Sequence, residues 1–131
     1  MLERIIILGI ILLTLFVVRK KMLSRSNEKI LLPGNLKVSN ISLPTIIYFW
    51  TEQCSQCSKI QKPVLHRLKS ELLNFNFISV DALREKEITS TFNIKTVPST
   101  IIFSPSGEAL FINNGLRGEE ELKNQIELAR L

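Results

Sequence analysis

The six residues Thr45 to Trp50 read TIIYFW, and after three residues of connection comes Cys54-Ser55-Gln56-Cys57, which holds both cysteines of the chain. The first stretch is β-branched, apolar and aromatic, the composition of a strand buried on both faces. Beyond the cysteines, Ile60, Val64, Leu65, Leu68 and Leu72 recur at helical spacing, which predicts a helix over 55–73. Pro63 lies inside it and removes one backbone donor. The apolar period continues past it, so a kink rather than an end is expected there.

Further elements follow in alternation. Asn76 to Ala82 reads as a second strand, Glu85 to Phe92 as a short helix, Ser99 to Phe103 as a third strand, and Ala109 to Asn113 as a fourth that pairs back across the turn Ser104 to Gly107. Gly118 then opens a terminal helix with Glu119, Glu120 and Glu121 in its first turn and an apolar stripe through Leu122 and Ile126. The order β-α-β-α-β-β-α predicts an α/β fold, a central mixed sheet of about four strands flanked by helices. It places Cys54 just beyond the carboxyl end of a central strand and at the amino end of a helix.

That placement has chemical consequences. A helix N-terminus stabilises an anion, so a thiol there ionises more readily than a free cysteine. The thiolate is the species that attacks a disulfide, and Cys57, one turn further on, lies within reach to expel a mixed disulfide. Two thiols cannot supply a Cys₄ zinc site, so the pair acts alone or across a dimer. A soft-metal site for Cu(I), or a docking surface without catalysis, is the alternative. No resident metal and no cofactor other than a redox-active Cys54–Cys57 disulfide is expected. The lone histidine, His66, reads as a surface or packing residue, Asp81 as a helix cap, and Glu52 and Gln53 as solvent-facing.

With these residues in place the chain resembles the thioredoxin family. The resemblance is carried by Phe49-Trp50, the Cys54-to-Cys57 motif, Pro63, Val80-Asp81, Thr96-Val97-Pro98-Ser99 and Gly115, and covers residues 41–131. It implies a thiol–disulfide oxidoreductase acting on protein thiols and disulfides, fed or drained by an unidentified electron donor or acceptor. Cys54 would be the nucleophile and Cys57 the resolving thiol. Val97-Pro98 would be a cis peptide abutting the cysteines and, with Trp50, would receive the substrate. Three departures stand out. Tyr48 replaces the family's usual buried aspartate, so the proton relay to the resolving thiol must differ or run through water. The intervening dipeptide is Ser-Gln rather than Gly-Pro, and Pro63 falls one residue later after Cys57 than is usual.

The amino-terminal region reads differently. Ile5 to Val18 contains no charge, with Glu3-Arg4 before it and Arg19-Lys20-Lys21 after it. Fourteen residues give about 21 Å of helix against a hydrocarbon core of about 30 Å. With snorkelling flanks and local thinning, residues 1–23 are expected to form a single-pass anchor in contact with membrane lipid through residues 5–18, followed by a linker over 24–40 and the thioredoxin-like domain over 41–131. A cleaved signal and a buried helix are the alternatives. Because Arg19, Lys20, Lys21, Arg25 and Lys29 all follow the run, flanking charge puts the domain on the cytoplasmic face, with the extracytoplasmic face as the competing reading. The linker is expected to hold one short strand near Leu36 to Val38. Residues 1–29 carry six Lys/Arg against two Glu, leaving eleven against ten in the remainder. The remainder is therefore near neutral and lacks a basic face interleaved with aromatics, which excludes a nucleic-acid footprint.

Overall fold

Every strand and helix expected after residue 44 is present in a computed structural model that describes residues 1–24 and 31–131. The elements are α1 (Leu2–Ser24), β1 (Thr45–Trp50), α2 (Lys62–Glu71), β2 (Asn76–Asp81), α3 (Lys86–Thr91), β3 (Ser99–Phe103), β4 (Ala109–Asn114) and α4 (Glu119–Ala129). A π-helical turn, Cys57–Gln61, leads into α2. The sheet runs β2-β1-β3-β4. β1 and β2 are parallel, with Phe49 beside Val80, whereas β1 with β3 and β3 with β4 are antiparallel.

β1 lies inside this sheet, and period-two alternation divides its side chains between two cores. Ile46 and Tyr48 face Leu65 and Leu68 of α2 and Leu122 and Ile126 of α4. Ile47 and Phe49 face the opposite layer with Val80, Phe92, Ile101 and Phe103, where Phe92 meets both Phe49 and Phe103 edge-on. Apolar bulk on every residue from Ile46 to Trp50 is thus explained: neither face of the strand meets water, and only Trp50 at its end is half exposed.

Three expectations are corrected. The segment around Leu36 to Val38 forms no strand. The Leu36 N–H donates to Pro33 O at 3.0 Å, closing a turn at Pro33-Gly34, and Leu32 and Leu36 instead pack against the second core. Ile60, assigned to the buried stripe, is 49% exposed while the neighbouring Gln61 is 0% exposed. The π turn adds a residue to one helical turn, so the phase slips by one position and a polar side chain takes the core-facing place.

The third correction concerns residues 1–23. They do form most of a helix, and the side chains from Ile5 to Val18 on α1 are exposed all round. Among the described residues, however, no helix is long and apolar enough to cross a membrane. Glu3, Arg4, Arg19 and Lys20 lie within α1 and confine its uncharged stretch to about 21 Å, well short of a hydrocarbon core. The single-pass anchor and the membrane-face assignment fall with that finding. Arg25 and Lys29 of the expected basic flank lie outside the described residues.

Candidate redox site

At the end of β1 the chain turns through Thr51, whose carbonyl accepts the Cys54 N–H at 3.2 Å. This turn delivers Cys54, half-buried, to the start of the helical segment. A disulfide joins it to Cys57, with Cα atoms 5.2 Å apart. Cys57 is 2% exposed, and its own N–H points at Cys54 Sγ at 3.1 Å. The two sulfurs therefore differ in access: Cys54 is reachable from outside and Cys57 is covered.

The cover on Cys57 comes from an unusual local fold. Pro63 has no N–H to offer Lys59, and the Lys62 N–H reaches five residues back to Cys57 O, the hydrogen bond that defines the π turn. Cys57 O also accepts the Tyr48 hydroxyl at 3.2 Å. The extra residue between Cys57 and Pro63, visible in the sequence as a late proline, is absorbed here. Gln61 then faces inward and locks the turn to the start of α4. Its Nε2 donates to Arg117 O at 3.1 Å, and its Oε1 accepts the Arg117 N–H at 2.9 Å.

Around the cysteines, Trp50 is held by its indole N–H, which donates to Ser79 Oγ at 2.7 Å. Val97 packs against the same cluster as both cysteines, and the Val97–Pro98 peptide is cis. The Gly115 N–H donates to Pro98 O at 2.8 Å. Gly115 adopts φ +98°, a conformation that glycine reaches without the strain a Cβ would bring. Trp50, Cys54, Cys57 and Val97 thus meet in one cluster, with Pro98 next in the chain and Gly115 bonded to it.

Other candidates stand apart. His66 is exposed, and among the described residues no three His, Cys, Asp or Glu side chains come together as a metal site. Asp81 caps the turn after β2, its Oδ1 accepting the N–H groups of Leu83 and Arg84 at 3.0 and 3.3 Å. Glu52 and Gln53 are exposed, as expected. Sequence reasoning missed Gln61, Ser79 and the backbone of Arg117. For Gln61 the displaced Pro63 was the available signal; the other two lie on distant elements and leave no local mark.

Tyr48 stands where the thioredoxin resemblance would place a buried aspartate, and burial pushes its hydroxyl from the ordinary 10.0 up to about 12. It stays neutral at neutral pH. Because the folded form holds its proton more tightly than the unfolded form, the associated stability is full below pH 10 and is lost as pH rises toward about 12. Tyr48 is the only tyrosine, so absorbance at 295 nm reads it alone. The native protein should show its tyrosinate step near pH 12, and the urea-unfolded protein near pH 10. Coincident steps would mean the hydroxyl is not buried.

The fold and the Cys54–Cys57 disulfide define a thioredoxin-like domain with its disulfide at the start of a helix. The thioredoxin family profile matches residues 35–128, and the chain belongs to that family. It is 29% identical over 85 residues to the thioredoxin of Borreliella burgdorferi, covering 64% of this chain and 71% of the relative. It is 25% identical over 80 residues to thioredoxin C-3 of Corynebacterium nephridii, covering 61% of this chain and only 54% of that protein. Among solved structures, oxidised thioredoxin O2 of Arabidopsis thaliana superposes with TM-score 0.57 at 25% identity over 66% of this chain and 75% of its own. A mutant thioredoxin of Halobacterium salinarum does so with TM-score 0.60 at 24% identity, covering 67% and 75%, a likeness of fold.

Proposed function

We propose that the chain exchanges disulfides with protein substrates, Cys54 serving as nucleophile and Cys57 as resolving thiol, with Trp50, Val97 and Pro98 forming the surface that receives the substrate. The observation that carries this reading is the Cys54–Cys57 disulfide between a half-buried and a covered sulfur at a helix start. In the reduced protein the Cys54 thiolate attacks one sulfur of the substrate disulfide, forming a mixed disulfide and releasing the other substrate sulfur as a thiolate that takes a proton from water. Cys57 gives its proton to water and attacks Cys54 Sγ. The mixed disulfide breaks, the second substrate sulfur leaves as a thiol, and two electrons have passed from the dithiol to the substrate. A dithiol reductant must then restore the pair.

Tyr48 supports a particular division of labour in the second step. A neutral hydroxyl already donating to Cys57 O orients the resolving residue but takes no proton from it. The full-length protein should reduce insulin disulfides with dithiothreitol as electron source, well above dithiothreitol alone. Alkylation after equilibration in thiol buffers should show one reversible two-electron couple. Absence of that couple, with one equivalent of Cu(I) retained under reducing conditions, would replace this reading by the soft-metal one.

A further inference from the structure

Beside Cys57, on the face of the sheet covered by α2, lies a cavity of about 250 Å³ whose lining includes Tyr48, Trp50 and Phe77. The Tyr48 and Phe77 rings sit 6.4 Å apart, and the Trp50 indole is fixed by its bond to Ser79. Along its rim Lys62, His66 and Lys69, spaced four and three residues apart, occupy one side of α2. Among the described residues neither the Lys62 nor the His66 side chain has a hydrogen-bond or ion-pair partner, and Lys69 Nζ rests 4.6 Å above the Phe77 ring. The one carboxylate in the lining, Glu52, is already paired with Arg84 at 3.1 Å. An aromatic floor with uncompensated basic groups at its edge suits an acidic side chain next to an apolar one. The surface adjoins Cys57, the covered sulfur of the pair, three residues from Cys54.

We infer that this cavity seats an acidic, apolar-containing segment of the protein substrate, its carboxylates meeting Lys62, His66 and Lys69 and its apolar side chain lying on Tyr48, Phe77 and Trp50. The inference rests on the oxidoreductase reading for the identity of its ligand as a substrate, and on the cavity alone for the preference for acid. Specificity of this kind comes from rim charge and apolar fit rather than from the chemistry of the disulfide.

A cysteine-free peptide of alternating glutamate and leucine, and its glutamine counterpart, separate the two parts. Trp50 is the only tryptophan, so its fluorescence in the full-length protein reports on the cavity wall. At low ionic strength the glutamate peptide should bind about tenfold more tightly than the glutamine one, as expected for a few partly exposed charge pairs. The difference should vanish in a Lys62→Gln, Lys69→Gln double variant and shrink with added salt. Equal affinities for the two peptides would overturn the site, as would a difference that survives in the double variant. So would an equal response to free glutarate at the same concentration, which would mark a small-anion site instead. Insulin turnover on the same preparation keeps the readings apart. A protein that prefers the glutamate peptide but reduces no insulin refutes the oxidoreductase reading and leaves the peptide site standing; one that reduces insulin and treats both peptides alike refutes the site only.

Discussion

A full-length Cys54→Ser protein should lose at least about a hundredfold of its insulin-reducing rate, because a serine hydroxyl at neutral pH is a far weaker nucleophile than a thiolate. The substitution changes little else. Cys54 is half-buried, its backbone N–H bond to Thr51 O is independent of the side chain, and an oxygen can still accept the Cys57 N–H. Thermal unfolding measured with both proteins reduced should therefore nearly coincide. Cys57→Ser separates the two roles. With Cys54 still able to attack but no thiol to expel the product, the variant should accumulate a mixed disulfide with its substrate, visible as a mass adduct that dithiothreitol removes. The assignment of roles would be reversed if Cys54→Ser trapped substrate and Cys57→Ser did not. Retention of wild-type turnover by Cys54→Ser would exclude thiol chemistry at this pair as the source of activity.

How legible these features were depended on how local their causes are. TIIYFW announces a strand covered on both faces because Ile46 to Trp50 each meet one core or the other, and the hairpin of β3 and β4 follows from short-range turn chemistry at Ser104 to Gly107. The cysteines were legible for the same reason, since strand end, connection and helix start are consecutive in the chain. Gln61 was not. Apolar spacing assumes 3.6 residues per turn throughout, which gives Ile60 the buried place, whereas the π turn depends on the Tyr48 hydroxyl and on backbone groups of Arg117, 56 residues away. The strand expected near Leu36 to Val38 failed because anchoring two leucines in a core requires no ladder. In α1 hydrophobic composition spoke for a membrane span, while the positions of Glu3, Arg4, Arg19 and Lys20 set a length that does not reach.

The slipped phase at the π turn yields a ranking of stabilities that ordinary helical periodicity would invert. Gln61→Leu keeps the side-chain size but strips both partners from Arg117, leaving its N–H and C=O unsatisfied in a partly buried loop. Each orphaned group costs about 1–3 kcal/mol, so a loss of about 3 kcal/mol is expected once the gain from burying a leucine is set against two unmade bonds. Ile60→Ala, by contrast, trims a side chain that is 49% exposed and should cost less than about 1 kcal/mol. Urea denaturation of the two variants, reduced and at the same pH, measures both quantities, and similar m-values would show that the midpoints report stability alone. Gln61→Glu should cost at least as much as Gln61→Leu, because it places a carboxylate at a position that is 0% exposed and sets one of its oxygens against the Arg117 carbonyl. If Ile60→Ala proved the more costly change, residues 57–61 would have to follow the regular α-helical phase. Gln61 would then turn outward, and neither the lock on Arg117 nor the cover over Cys57 could be maintained as described.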